Sequence, residues 1–248
     1  KHRHDPYAIG LTDSGVQVFD YRGSVHTSLP GDVVALYPDE LHDGRAGAAD
    51  GFGYCIVYVE PSRLADAVEA VRGRPYPLPF LREVVSRHPR LARAVRGAFR
   101  LPLEPLAADS LVVELAEGLL IAEGSRSGGA VHRRIDIAAV ERARQFLESA
   151  GTRLAHSDDL ERVSGLTRYD LARQFRMTLG TSPHRYQLMR RLERARDSIH
   201  AAKPLVEAAS DGGFADQAHF TRAFRSAFGL TPGRYRALRR TETPLGEN

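Results

Sequence analysis

Apolar positions follow two regimes along the chain. Over residues 7–60 they alternate or gather in short runs. VQVFDY (16–21) alternates, YRGSVHTSLPGDVVALYP sets turn residues between apolar runs, and YCIVYVE (54–60) is an apolar run of strand length. Helical spacing is absent there, so closely spaced strands predict a small barrel or jelly roll. Beyond it the period changes. SRLADAVEAVR (62–72) predicts a helix capped by Ser62, and GRPYPLPF (73–80) an extended connector, because its three prolines do not continue a helix. Residues 89–100 predict a second helix, opened by Pro89, and residues 104–123 a longer one. Leu111, Leu115 and Leu119, with Val112 between, form its apolar stripe. That stripe suits packing on its own barrel or a dimer seam. GSRSGGA (124–130) has linker composition, and from Arg133 onward the pattern is helical.

The helical half contains a repeat. RQFRMTLGTSPHRYQLMRR (173–191) aligns without gaps on RAFRSAFGLTPGRYRALRR (222–240), 49 residues later. Phe175 matches Phe224, Gly180 matches Gly229, Pro183 matches Pro232 and Tyr186 matches Tyr235. Thr167 and Asp216 are both suited to cap the helix that follows. Helices over 157–164 and about 204–211 precede them, with Gly165 and Gly213 in the turns. Short helix, glycine-bearing turn, then a helix with one apolar face is the helix-turn-helix pattern. With Leu171, Phe175, Phe220 and Phe224 inward, Arg168, Tyr169, Ala172, Arg173 and Arg176 project from the first unit. Gln217, Ala218, Thr221, Arg222 and Arg225 project from the second. These residue types read base edges and grip phosphates. Residues 182–202 predict one helix between the units, roughly 30 Å long at about 1.5 Å per residue, close to the ~34 Å of one DNA turn.

Charge supports that reading. Residues 133–240 carry 21 basic and 12 acidic side chains, whereas residues 1–132 carry 14 and 17. A polyanion suits the basic half, and arginine supplies all but one of its cations, although GC-rich coding alone also favours arginine. The 248 residues leave room for one large domain or two ordinary ones, with 42% hydrophobic side chains, enough for a packed core, and no apolar run long enough for a membrane span. The lone Cys55 and the lack of a secretory signal point to the cytoplasm. The start at Lys1 suggests missing N-terminal residues.

Catalytic chemistry finds no support. There is no nucleophile elbow, phosphate loop or Cys-x-x-Cys, and Ser110 and Ser164 lack a triad context. His2, His4 and His42 supply three imidazoles, but no Glu follows His4 at the spacing a metal-binding cupin uses. They are read as structural or as lining an organic pocket, and His26 as a surface residue. No cofactor is expected. His4, Tyr7, Phe19, Tyr21, His42 and Tyr58 are the candidates to face the barrel interior, where they either meet an organic ligand or fill a narrow barrel.

Residues 134–238 resemble the AraC/XylS family of bacterial transcription regulators. GFADQAHFTRAFRSAFGLTPGRYR follows that family's C-terminal signature, and RLERARDSI (191–199) looks like its linker helix. HRHDPYAIGLTDSG, YRGSVHTSLPGDVVALYPDELHDG and GYCIVYVE more loosely resemble its cupin-like effector domain. The resemblance implies two domains. The first, residues 1–124, is an all-β cupin-like barrel (1–60) whose interior binds a small organic effector, with flanking helices (62–123) that dimerise. After a linker at 125–132, an all-α tandem helix-turn-helix domain of seven helices spans 133–240, with a tail at 241–248. It places Arg168, Tyr169, Ala172 and Arg173, and Gln217, Thr221 and Arg222, at base-facing positions, with His219 either touching DNA or bracing the turn. Its implied partners are double-stranded DNA, a small effector, a second copy joined through the 104–123 helix, and RNA polymerase if the protein is an activator. Two rival readings are an effector-independent regulator whose barrel only dimerises, and a metal-binding cupin sensor.

Overall fold

In the computed structural model the described residues are 5–100, 102–124 and 134–241. His2, His4, the 125–132 linker and nearly all of the tail lie outside them. The chain divides into two compact units. One is Lys1–Asp136 together with Thr167–Gln174, and the other is Ile137–Leu166 with Phe175–Asn248.

Within the first unit the strands form two sheets. β1 (Tyr7–Gly15) lies between β6 (Phe52–Val59) and β4 (Val33–Leu36), and β4 carries the short β7 (Val85–Ser86) on its other side. β2 (Gln17–Tyr21) lies between β3 (Ser24–Ser28) and β5 (Arg45–Ala46). The paired strands run antiparallel, with Ile9 opposite both Ala35 and Val57, and Phe19 opposite His26. Alternation sends Ile9, Leu11, Phe19, Tyr21 and Val33 into one core. Three helices extend that core: α1 (Pro61–Arg72), α2 (Pro89–Ala98) and α3 (Pro105–Ala122). α1 begins one residue before the expected Ser62 cap. Pro61 takes the first helical position, and Glu60 stands at the cap without a side-chain bond. Leu111, Val112, Leu115 and Leu119 are all buried in this core, so the α3 stripe packs within its own unit. A Cβ on Gly118 would fall 2.4 Å from Leu91 Cδ2, so glycine is what lets α2 approach α3 closely.

Seven helices follow among the described residues: α4 (Ile137–Ser149), α5 (Ser157–Ser164), α6 (Arg168–Leu179), α7 (Pro183–His200), α8 (Leu205–Asp211), α9 (Gln217–Phe228) and α10 (Pro232–Thr241). The repeat fixes their ends. Gly180 and Gly229 have φ of 70° and 77° and stop α6 and α9 in the left-handed region. Ser182 and Thr231 then accept bonds from the Arg185 and Arg234 N–H groups at 3.3 Å, with Pro183 and Pro232 opening α7 and α10. α7 has 18 residues, or about 27 Å at ~1.5 Å per residue.

Candidate nucleic-acid interface

Asp216 starts α9. Its Oδ1 accepts the His219 N–H at 2.6 Å, and the His219 and Ala218 amides hold its carboxyl below the usual carboxylate range, helped by the Arg222 charge. Phe220, Ala223 and Phe224 are buried on the inner face. Phe224 lies 5.5 Å from Phe220, 4.6 Å from Phe228 and 5.5 Å from Tyr235, centroid to centroid. Packing of that face turns Gln217, Ala218, Arg222 and Arg225 to the exposed side, with Thr221 half-buried beside them. His219 is buried with its ring edge-on to Phe214 at 5.4 Å, so it braces the turn.

α6 repeats the architecture. Thr167 Oγ1 accepts the Asp170 N–H at 3.3 Å, Leu171 and Phe175 are buried, and Phe175 meets Tyr186 edge-on at 5.6 Å. Its expected outer face differs. Arg168 and Arg176 are half-buried, and the Arg173 side chain is 12% exposed and 3.6 Å from Asp170. Tyr169 and Ala172 do not project. They are 3% and 5% exposed and belong to the core of the first unit. There the Tyr169 hydroxyl accepts a bond from Arg63 Nε at 3.1 Å, and Arg63 pairs with the buried Asp109 at 3.2 Å. Burial pushes the Tyr169 phenol up from its ordinary value. Helical periodicity identified the inner face of α6; it carried no sign that part of the other face is covered too.

Two arginines escaped the sequence reading. Arg142 of α4 donates from Nε to the Val163 carbonyl at 2.8 Å and from Nη2 to that of Ser164 at 2.5 Å. Arg191 of α7 donates from Nε to Gly212 at 3.2 Å and from Nη2 to Gly213 at 2.8 Å. The same 49-residue offset relates the two arginines and both pairs of carbonyls, and extending the repeat upstream would have found them.

In the first unit, Tyr7, Phe19, Tyr21 and His42 are buried, and His42 bridges to Tyr21. Burial pushes the Tyr7 phenol up to about 12. Tyr58 does not face inward and is 49% exposed, because strand alternation groups it with exposed Tyr54 and opposite Val59. A cleft of about 440 Å³ opens at the rim, lined by Tyr21, Arg22, Glu40 and neighbours. The Arg22 guanidinium lies 4.6–5.0 Å from the ring centroids of Tyr21, Tyr37 and Phe80, and Arg22 Nε binds Glu40 at 2.9 Å. Among the described residues no group of three or more His, Cys, Asp or Glu is placed to hold a metal, and no helix is long and apolar enough to cross a membrane.

A sheet-rich domain joined to two helix-turn-helix units, one presenting arginines from a capped helix, defines a DNA-binding transcription regulator. Residues 1–122 match the family model of the AraC-like ligand binding domain, and residues 160–238 match that of a helix-turn-helix domain. The chain belongs to the AraC family of transcription regulators, which are not enzymes. The HTH-type transcriptional regulator YbfI of Bacillus subtilis is 25% identical over 88% of this chain and 80% of its own length. An AraC-type regulator from Chromobacterium violaceum is 31% identical over 43% of this chain and 95% of that one, with a TM-score of 0.39. ToxT of Vibrio cholerae, solved with an unsaturated fatty acid, is 13% identical over 95% of this chain and 88% of that one, with a TM-score of 0.36.

Proposed function

We propose that this regulator reads DNA through two helices, α6 and α9, and that a small organic effector at the first unit controls it. The carrying observation is the exposed row Gln217, Ala218, Arg222 and Arg225 on a helix whose opposite face is fully packed. In this reading α9 enters one major groove with Arg222 at a base edge and Arg225 beside the backbone. Arg168 and Arg176 of α6 serve the neighbouring groove, where Arg173, Tyr169 and Ala172 contribute only on leaving their buried setting. The chemistry suits DNA, since an arginine fork matches guanine edges and phosphates alike.

For the effector, the cleft at Tyr21, Arg22 and Glu40 is the candidate. Of the residues expected from sequence to meet a ligand, Tyr21 is the one that lines it. The protein works in the cytoplasm as a homodimer joined through α3. Most of α3 is buried in its own unit, and Ile121 near its end, 49% exposed, is the apolar side chain it offers to that contact; as an activator the protein would meet RNA polymerase. In-vitro selection of duplexes from a random library tests the reading. A motif of two short blocks one turn apart is expected, and failure to enrich any sequence contradicts it.

A further inference from the structure

The arginine anchors carry a further inference, which rests on α6 and α9 being the reading helices. Each reading helix starts four residues after an anchored carbonyl: Ser164 precedes Arg168, and Gly213 precedes Gln217, by the same interval. The anchored groups lie at the C-terminal ends of α5 and α8, where helix carbonyls lack partners within their own helix. A guanidinium satisfies two of them at once and places positive charge at the negative end of the helix dipole. In both copies Nε takes the first carbonyl and Nη2 the second. That fork fixes the orientation of the last peptide planes of the support helix, and so the direction in which the chain leaves for the reading helix. A lysine, a point donor on a flexible stem, holds one carbonyl without fixing that plane.

The surroundings tighten the second anchor. Arg191 is 1% exposed, and its guanidinium lies 4.5 Å from the Phe214 ring centroid. Gly213 has φ of 72°, and a Cβ there would fall 2.5 Å from the Thr152 carbonyl oxygen. The turn has little freedom beyond what the anchor sets. Arg142, by contrast, is exposed. Burial therefore differs between the copies while the bonding is the same, so shared burial does not explain the repetition.

We infer that Arg142 and Arg191 are a duplicated pair of positioning residues, each setting the exit direction of one reading helix and thereby base discrimination in one half of the DNA site. Neither side chain needs to touch DNA for this.

The test is in-vitro selection from a randomised duplex library with the full-length protein, well below its melting temperature. Variants are Arg142→Met, Arg142→Lys, Arg191→Met and Arg191→Lys, with Arg222→Ala as control. The half-site that Arg222→Ala degrades belongs to α9. Arg191→Met is expected to flatten preference in that half by roughly ten- to hundred-fold, the scale of one base-reading contact, and to spare the other half. Arg142→Met is expected to do the reverse, with the lysine variants between methionine and wild type. The salt slope of non-specific binding should not change, since no phosphate contact is removed. A merely structural role lowers the active fraction without altering half-site preference. If Arg191→Met does not fold, the exposed Arg142 variants decide the matter alone. Equal loss in both halves, or an unchanged motif beside a working Arg222→Ala control, overturns the inference. An Arg222→Ala control that leaves the motif intact removes the reading of α9 itself, and the inference with it.

Discussion

Replacing Phe224 with alanine tests whether the packed face of α9 is what turns its arginines outward. Phe224 is 1% exposed and has three aromatic neighbours at centroid distances of 4.6–5.5 Å. A buried Phe→Ala change costs about 3–5 kcal/mol. Aromatic pairs add about 0.5–1.5 kcal/mol each beyond area, and three rigid rings leave little room for collapse, so the upper part of that range applies. Against a typical domain stability of about 5–15 kcal/mol, that is a large fraction. At about 4–8 °C per kcal/mol for a domain of 60–100 residues, the melting temperature should fall by roughly 16–40 °C. Melting followed by circular dichroism at 222 nm reads this directly, because the second unit is helical. Phe228→Ala, at a half-buried position, should cost about 1 kcal/mol. A Phe224→Ala shift under about 5 °C, or no larger than that of Phe228→Ala, would refute the packing argument.

Other expectations concern binding and pH. Arg222→Ala should weaken specific binding by about 1–3 kcal/mol and relax preference at one base position, and band shifts should show affinity falling steeply with salt; unchanged affinity or a flat salt response counts against the interface. Arg63→Ala removes the bond held by the Tyr169 hydroxyl, so specific DNA binding should strengthen by about 1 kcal/mol, the worth of one such bond; unchanged or weaker binding argues that Tyr169 is not withheld from DNA. His88 Nδ1 accepts the Leu91 N–H at the start of α2, and burial, then Arg90, lowers its pKa. Its contribution should be present above the unfolded value of about 6.5 and be lost as pH falls through the folded value. His88→Asn keeps an acceptor that does not titrate, so the variant should lose less melting temperature than wild type between pH 8 and pH 5.5; equal losses would assign the titration elsewhere.

Much of the helical half was legible in the sequence because local signals agreed there. Thr167, Asp216, Gly180, Gly229 and the Ser/Thr-Pro pairs each specify a helix end through their own backbone chemistry, and the structure uses each of them so. The 49-residue repeat gave every weak signal a second instance. What the sequence left out was set by distant packing. Nothing local to α6 indicates that Tyr169 meets Arg63, more than a hundred positions away. Among the strands, a one-residue change of register reverses every side chain, which is why Tyr58 was expected inside and lies outside. The α3 stripe suited two partners equally from its periodicity, and only the burial of Leu115 and Leu119 assigned it to its own core.

The claim that two reading helices enter successive grooves is tested most directly by hydroxyl-radical footprinting of the full-length protein on a selected duplex. Two protected segments about one helical turn apart on the same side of the DNA are predicted. A single protected segment, or two on opposite sides of the duplex, would contradict it.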